Sequence, residues 1–228
     1  MLGIIFTGGE SPDVQAVKRL LETGIPDTPA KPFFVAADSG LDAANAAGIE
    51  PDWVIGDMDS LKDTLLLAAL PPECVIRHQQ DKDHTDTELA FLFAAEKGCE
   101  KIWIIGGGGG RIDHLFAIRS MFERDIFPRR WITKDADIFC IDAKTINNEQ
   151  LTLNLQNDGC CKLKKETVVS VFPLGGGPWE AKSTGLKWQL EGLPWDRGFF
   201  GLSNIAVNGK FSVKAEKGRF MVVLPALD

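Results

Sequence analysis

KIWIIGGGGGRIDH, residues 101–114, is a five-residue apolar run, then five glycines, then the polar opening of a second apolar segment. A short apolar run bounded by turn residues suits a strand buried on both faces, and the segment after the glycines predicts a helix through Leu115–Glu123. Strand, glycine turn and helix in that order form part of a βα repeat. The same unit recurs toward the N-terminus. Leu2–Phe6 reads as a strand, followed by a helix with Ser11 as N-cap, Pro12 at the first helical position and Gly24 at its close. Phe33–Ala37 precedes a helix ending near Gly48, Trp53–Ile55 precedes an apolar helical stretch after Ser60, and Val75–Arg77 precedes a helix over Asp86–Lys97. Alternation of this kind over residues 1–135 predicts a doubly wound, mostly parallel α/β sheet domain.

After Trp131 the texture changes. Asp137–Ile141, Leu151–Leu155, Val168–Phe172, Phe211–Lys214 and Phe220–Leu224 are β-type runs separated by Gly, Asn and Asp turns. Residues 136–228 are therefore expected to form a smaller all-β sandwich domain.

Composition narrows the function classes. The chain of 228 residues carries 25 Lys and Arg against 32 Asp and Glu, a net charge of −7, with 44% hydrophobic residues. These values exclude disordered and fibrous classes, and the acidic balance argues against a broad nucleic-acid footprint, which needs clustered Lys and Arg. No run of about 18 apolar residues exists and the start lacks a basic leader, so a soluble, unsecreted chain with no membrane partner is expected. The five cysteines, Cys74, Cys99, Cys140, Cys160 and Cys161, show no CxxC or zinc spacing and read as free thiols of a reducing cytoplasm.

Acidic residues cluster where the expected strands end: ADSG (Ala37–Gly40), GDMDS (Gly56–Ser60), DKDHTD (Asp81–Asp86) and RIDH (Arg111–His114). Ligands of open α/β sheets collect at those carboxyl ends, so four loops can share one crevice. Asp57 and Asp59 are two apart, which in an extended segment points both carboxylates to one side; hard oxygens so paired suit Mg²⁺, and the same residues equally suit a turn or helix cap. Thr85 to Glu88 fits a capping box, placing Asp86 in the first helical turn, where capping alone would also explain it. Asp81, Asp83 and Asp86 with Lys82 crowd one loop, a repulsion that a cation would relieve. Gly106–Gly110 can bring backbone N–H groups close to a phosphate, with Arg111 offering a planar fork of donors, although the run fits neither a Walker A loop nor G-x-G-x-x-G. In the second half TGLKW (Thr184–Trp188) and the Ser203-Asn204 pair stand out, Trp188 serving either core packing or stacking on a flat cationic ring.

In this order ADSG, PDWVIGDMDS, DKDHTDTELA, GGGGGRIDH and TGLKW followed by SN resemble the thiamine pyrophosphokinase family over residues 35–205. The resemblance implies an α/β catalytic domain, a β-rich thiamine-binding domain, and a homodimer with active sites at the subunit interface. It also implies Mg²⁺-dependent transfer of a pyrophosphoryl group from ATP to the thiamine hydroxyl, giving thiamine diphosphate and AMP. Carried over by position, Asp57, Asp59 and Asp86 match the metal and catalytic carboxylates and Arg111 the catalytic arginine. Asp38, Gly108, Gly109, Gly110, Arg111 and Asp113 fall at the nucleotide. Lys82, Asp83, Trp188, Ser203 and Asn204 fall at substrate. Departures at Ser39, Met58, Lys82 and Ile118 bear on substrate fit, including a related aminopyrimidine alcohol as acceptor, rather than on reaction type. Two other readings remain distinguishable. A haloacid-dehalogenase-type phosphatase would use the first Asp of D-x-D as a nucleophile, and a thiamine or nucleotide sensor would bind without turnover.

Overall fold

The computed structural model describes residues 1–23, 31–61, 63–79, 81, 83–144, 150–154, 166–207 and 209–226. The chain divides into two compact units, Met1–Lys134 and Asp135–Asp228.

The first unit runs β1 (Leu2–Thr7), α1 (Val14–Thr23), β2 (Phe33–Ala37), α2 (Gly40–Ala46), β3 (Trp53–Gly56), α3 (Leu65–Ala68), β4 (Val75–Arg77), α4 (Asp86–Glu96), β5 (Lys101–Ile105), α5 (Ile112–Met121) and β6 (Arg130–Ile132). Its strands lie in the order β6-β5-β1-β2-β3-β4, and every pairing among them is parallel. All six residues of β1 are buried, as a central parallel strand covered on both faces requires. Leu2, Ile4 and Phe6 pack with Val17 and Leu20 of α1 and Ala44 of α2. Gly3, on the alternate face, lies against Cys99 just beyond α4. Strand order reverses direction between β1 and β5, so the loops after these two strands flank the topological switch point.

Two local expectations are corrected. Helix α1 starts at Val14 rather than after Ser11, because Asp13 accepts the Gln15 N–H at 2.8 Å and takes the capping role. Gly24, its expected close, lies outside the described residues. Helix α5 begins three residues before Leu115, with Arg111 in extended conformation ahead of it.

The second unit contains β7 (Ala136–Asp142), β8 (Gln150–Asn154), β9 (Thr167–Leu174), β10 (Glu180–Thr184), β11 (Gly201–Ala206), β12 (Lys210–Lys217) and β13 (Arg219–Pro225). Antiparallel strands β11-β9-β13-β7 form one layer and β10-β12-β8 the other. Val169, Val171, Phe220 and Val222 of the first layer share a buried core with Ala181, Phe211, Val213 and Ala215 of the second, a β-sandwich. Strands β6, β10 and β11 are additions to the sequence reading. Glu180–Thr184 and Gly201–Ala206 are rich in small and polar residues, so their runs carry little apolar signal.

Candidate active site

Three carboxylates meet at the carboxyl ends of β2, β3 and the loop after β4. One oxygen from each of Asp38, Asp57 and Asp86 lies within 4.8 Å of the other two. Each has a local cause. Asp38 directly follows β2 and adopts φ +47, a left-handed conformation that Asp tolerates better than most side chains. Asp57 follows Gly56, where a Cβ would stand 3.1 Å from both Asp38 Cβ and Asp86 Oδ1, so this close approach needs glycine. Asp86 opens α4, whose Thr85 side chain accepts the Glu88 N–H at 3.2 Å and fixes where the helix starts.

Asp38 is only 9% exposed, and its Oδ1 is buried without a hydrogen-bond partner. Burial pushes its carboxyl above the ordinary range. The Ser39 backbone and the Ser60 hydroxyl oppose that shift, while the charges of Asp86 and Asp57 add to it. A buried, unpartnered oxygen among like charges is the environment that a hard divalent cation stabilises, so the three residues fit Mg²⁺.

Asp59 is not in this group. Met58 takes φ +66 and buries its side chain against Leu41, Val54 and Ala36. The left-handed residue breaks the extended segment, and the two-residue alternation that would align Asp57 with Asp59 no longer holds. Instead the Asp59 N–H donates to Asp57 Oδ1 at 3.3 Å, and its exposed carboxylate accepts from Ser60 Oγ at 2.8 Å. Asp81 and Asp83 are also exposed, and Lys82 lies outside the described residues.

The glycine loop is more closed than its composition suggests. The Gly106 N–H donates to Ile132 O, Gly107 N–H to Gly8 O and Gly108 N–H to Glu10 O, while Glu10 N–H donates back to Gly108 O. Two of the five amides therefore tie the loops after β1 and β5 together at the switch point and a third bonds to the end of β6, so these three are already engaged within the fold. Gly109 and Gly110 adopt φ +62 and +61. Beside them Arg111 grips Asp113 through two bonds, Nε to Oδ1 at 3.2 Å and Nη2 to Oδ2 at 2.5 Å. That grip holds the exposed Asp113 carboxyl down to about 2 and raises the Arg111 guanidinium.

In the second unit Trp188 is 54% exposed, with the Lys187 ammonium 4.5 Å from its ring centroid. Its main chain is held from both sides by Asn204. Asn204 Oδ1 accepts the Trp188 N–H at 3.1 Å, and Asn204 Nδ2 donates to Trp188 O at 2.6 Å. Asn204 itself is buried, and the preceding Ser203 sits at φ +58 with its N–H on Ser170 Oγ. Trp188 thus presents a platform to solvent rather than filling core.

Comparison with known proteins bears on both units. Residues 28–127 match the family model for the thiamin pyrophosphokinase catalytic domain, and residues 150–220 match its vitamin B1 binding domain. The chain belongs to the thiamin pyrophosphokinase family. The thiamine pyrophosphokinase of Bacillus subtilis strain 168 is 34% identical over 85 residues, a stretch covering 36% of this chain and 39% of that protein. Solved thiamin pyrophosphokinases share the fold end to end. That of Geobacillus thermodenitrificans has a TM-score of 0.69 at 22% identity, covering 99% of this chain and 98% of its own. The yeast structure gives 0.64 at 14%, covering 98% and 86%.

The carboxylate trio differs in membership from the sequence expectation, which held Asp57, Asp59 and Asp86 for the metal and Asp38 for the nucleotide. The signal for Asp38 was its position one residue past a buried strand, parallel to that of Asp57 after β3.

Proposed function

We propose that this chain transfers a pyrophosphoryl group from ATP to the hydroxyl of thiamine, giving thiamine diphosphate and AMP, and works as a cytoplasmic homodimer. The observation that carries the reading is the trio of Asp38, Asp57 and Asp86 around one unpartnered buried oxygen, on a chain with both family domains in order. Those three residues would hold Mg²⁺, which when bound supplies charge neutralisation to the polyphosphate. Asp59, at the exposed rim of the same loop, would act on that ion through water.

The chain's own residues then have distinct tasks. Arg111, with donors left beyond those given to Asp113, and the amides of Gly109 and Gly110 face the migrating group, and Gly108 shapes their turn. Phosphoryl transfer has little covalent chemistry for a protein to do, so positioning and charge compensation carry most of the rate. Trp188 stacks on the cationic heteroaromatic acceptor, with Asn204 holding its backbone, and the family resemblance assigns Ser203, Lys82 and Asp83 to substrate as well. Among the candidate bases Asp113 is the weakest, since Arg111 keeps its carboxyl near 2. The hydroxyl proton therefore passes to one of the other candidates, Asp57, Asp59 or Asp86.

The test is product analysis with ATP and Mg²⁺, with and without thiamine. Thiamine-dependent AMP together with thiamine diphosphate, identified by mass, is the expected result. ADP or free phosphate instead would overturn the reaction type, and a phosphoaspartate at Asp57 would favour the phosphatase.

A further inference from the structure

Two hydroxyls that no step above uses lie between the carboxylate trio and the glycine loop. Thr7, the last residue of β1, and Thr87, the second residue of α4, are 80 positions apart, and their Oγ1 atoms are 2.5 Å from each other. Both residues are more than nine-tenths buried, at 5% and 8% exposure. A buried hydroxyl needs a partner, and each of these supplies the other's.

What each threonine touches on its other side gives the pair a task. A Cβ on Gly106 would come within 2.3 Å of Thr7 O, and one on Gly107 within 3.3 Å of Thr7 Cγ2. Thr7 therefore carries the loop after β5 on its main chain and methyl, and α4 on its hydroxyl. Thr87 is covalently next to Asp86, whose carboxylate lies with those of Asp38 and Asp57. We propose that Thr7 and Thr87 are positioning residues: their hydroxyl pair sets the first turn of α4, and with it Asp86, relative to the glycine loop. The inference rests on the phosphoryl-transfer reading for its kinetic consequence, and on the cation fit for its binding consequence. Packing alone holds α4 on the sheet but is not directional along the helix axis, whereas a hydroxyl-to-hydroxyl bond is. Small displacements of a charged group near a reacting phosphate are costly, so a bond remote from substrate can govern turnover.

The experiment uses Thr7→Val, Thr87→Val, the double variant, and Thr7→Ser and Thr87→Ser in the full chain. Valine keeps the branched shape and removes the hydroxyl; serine keeps the hydroxyl. Mn²⁺ binding to the nucleotide-free protein, followed by electron paramagnetic resonance, is measured beside kcat and both KM values. The expected result is that either valine variant weakens Mn²⁺ binding and lowers kcat, each by about tenfold, with the thiamine KM unchanged. The serine variants recover to within about twofold, and the double variant is no worse than the singles because one bond is lost once. Valine variants that lower only the melting temperature while keeping Mn²⁺ affinity and kcat overturn the proposal, as do additive losses in the double variant. A wild-type chain that binds no Mn²⁺ overturns it as well. Should Thr87→Val fail to fold, Thr7→Val reads the same bond from β1. If the wild-type chain binds Mn²⁺ yet forms no thiamine diphosphate, the activity reading falls while the Mn²⁺ comparison still judges the positioning pair.

Discussion

The carboxylate trio and the Trp188 platform are built in opposite ways. Asp38, Asp57 and Asp86 come from three loops brought together by a parallel sheet, and the group turns inward, with Asp38 9% exposed. Trp188 and Asn204 are 16 positions apart, the Asn204 side-chain amide clasps the Trp188 main chain, and the indole turns outward at 54% exposure. The first arrangement stores like charge at a cost that a cation relieves. The second leaves apolar surface uncovered, which a flat ligand would cover. A charged site made by convergence should fail abruptly when one member is neutralised, and an exposed platform should fail gradually.

The largest effect tests convergence. Asp57→Asn and Asp86→Asn should each lower kcat on the order of a thousandfold, because each would remove a charge that holds the cation neutralising the polyphosphate. Asp59→Asn, outside the trio, should lose about tenfold. Turnover by Asp57→Asn or Asp86→Asn within tenfold of wild type would remove the trio from the chemistry. An Asp59→Asn variant as impaired as Asp57→Asn would make Asp59 a full member once substrate is bound.

The next effect is on stability. Because the folded Asp38 carboxyl titrates above the ordinary aspartate value of 3.8, its contribution is fully present below that pH and is lost as pH rises through the folded value. A bound cation offsets the loss, so the gain in melting temperature on adding Mg²⁺ should be small near pH 4 and grow toward neutrality. Calorimetry at several pH values checks this. A gain independent of pH, or one retained in Asp38→Asn, would place the cation elsewhere.

On the platform side, Trp188→Ala should raise the thiamine KM about tenfold while leaving the ATP KM alone, as expected for losing stacking and cation–π contact. Asn204→Asp keeps the oxygen that accepts the Trp188 N–H but removes the donor to Trp188 O, and should raise the same KM by about half that factor. If Asn204→Asp lowered kcat with the thiamine KM fixed, the clasp would not be what presents the ring.

The same contrast explains what could be read from sequence. Continuous apolar runs such as Leu2–Phe6 and Lys101–Ile105 announced buried parallel strands, and the capping pattern at Thr85 announced α4, because these signals are local. The acids at strand ends were legible as a set. Their grouping was not, since one left-handed residue, Met58, turns Asp59 away, and nothing in the string GDMDS announces that φ. In the glycine loop the composition spoke of backbone freedom, yet the partners of three amides come from Gly8, Glu10 and Ile132, remote in sequence. The clasp of Asn204 on Trp188 depends on β11 lying beside the TGLKW turn, and β11 itself was too polar to read as a strand.

The smallest effect is the most specific probe of the glycine-loop side. Asp113 is held at about 2 by Arg111, and both side chains are exposed. A lowered folded value means that the pair's stabilisation is present above 3.8 and is lost as pH falls toward about 2, so it is constant across neutral pH and invisible in an ordinary melting curve. Carboxyl titration by nuclear magnetic resonance makes it visible: in Arg111→Ala the Asp113 midpoint should return toward 3.8. Nucleotide offers a finer test. If the polyphosphate draws the Arg111 fork away from Asp113, adding ATP to the wild-type protein should move the same midpoint upward, partway toward its value in Arg111→Ala. If the midpoint stays near 2 with nucleotide saturating, the Arg111–Asp113 pair is a fixed brace of the α5 entrance, and the charge compensation assigned to Arg111 must come only from the donors Asp113 leaves free.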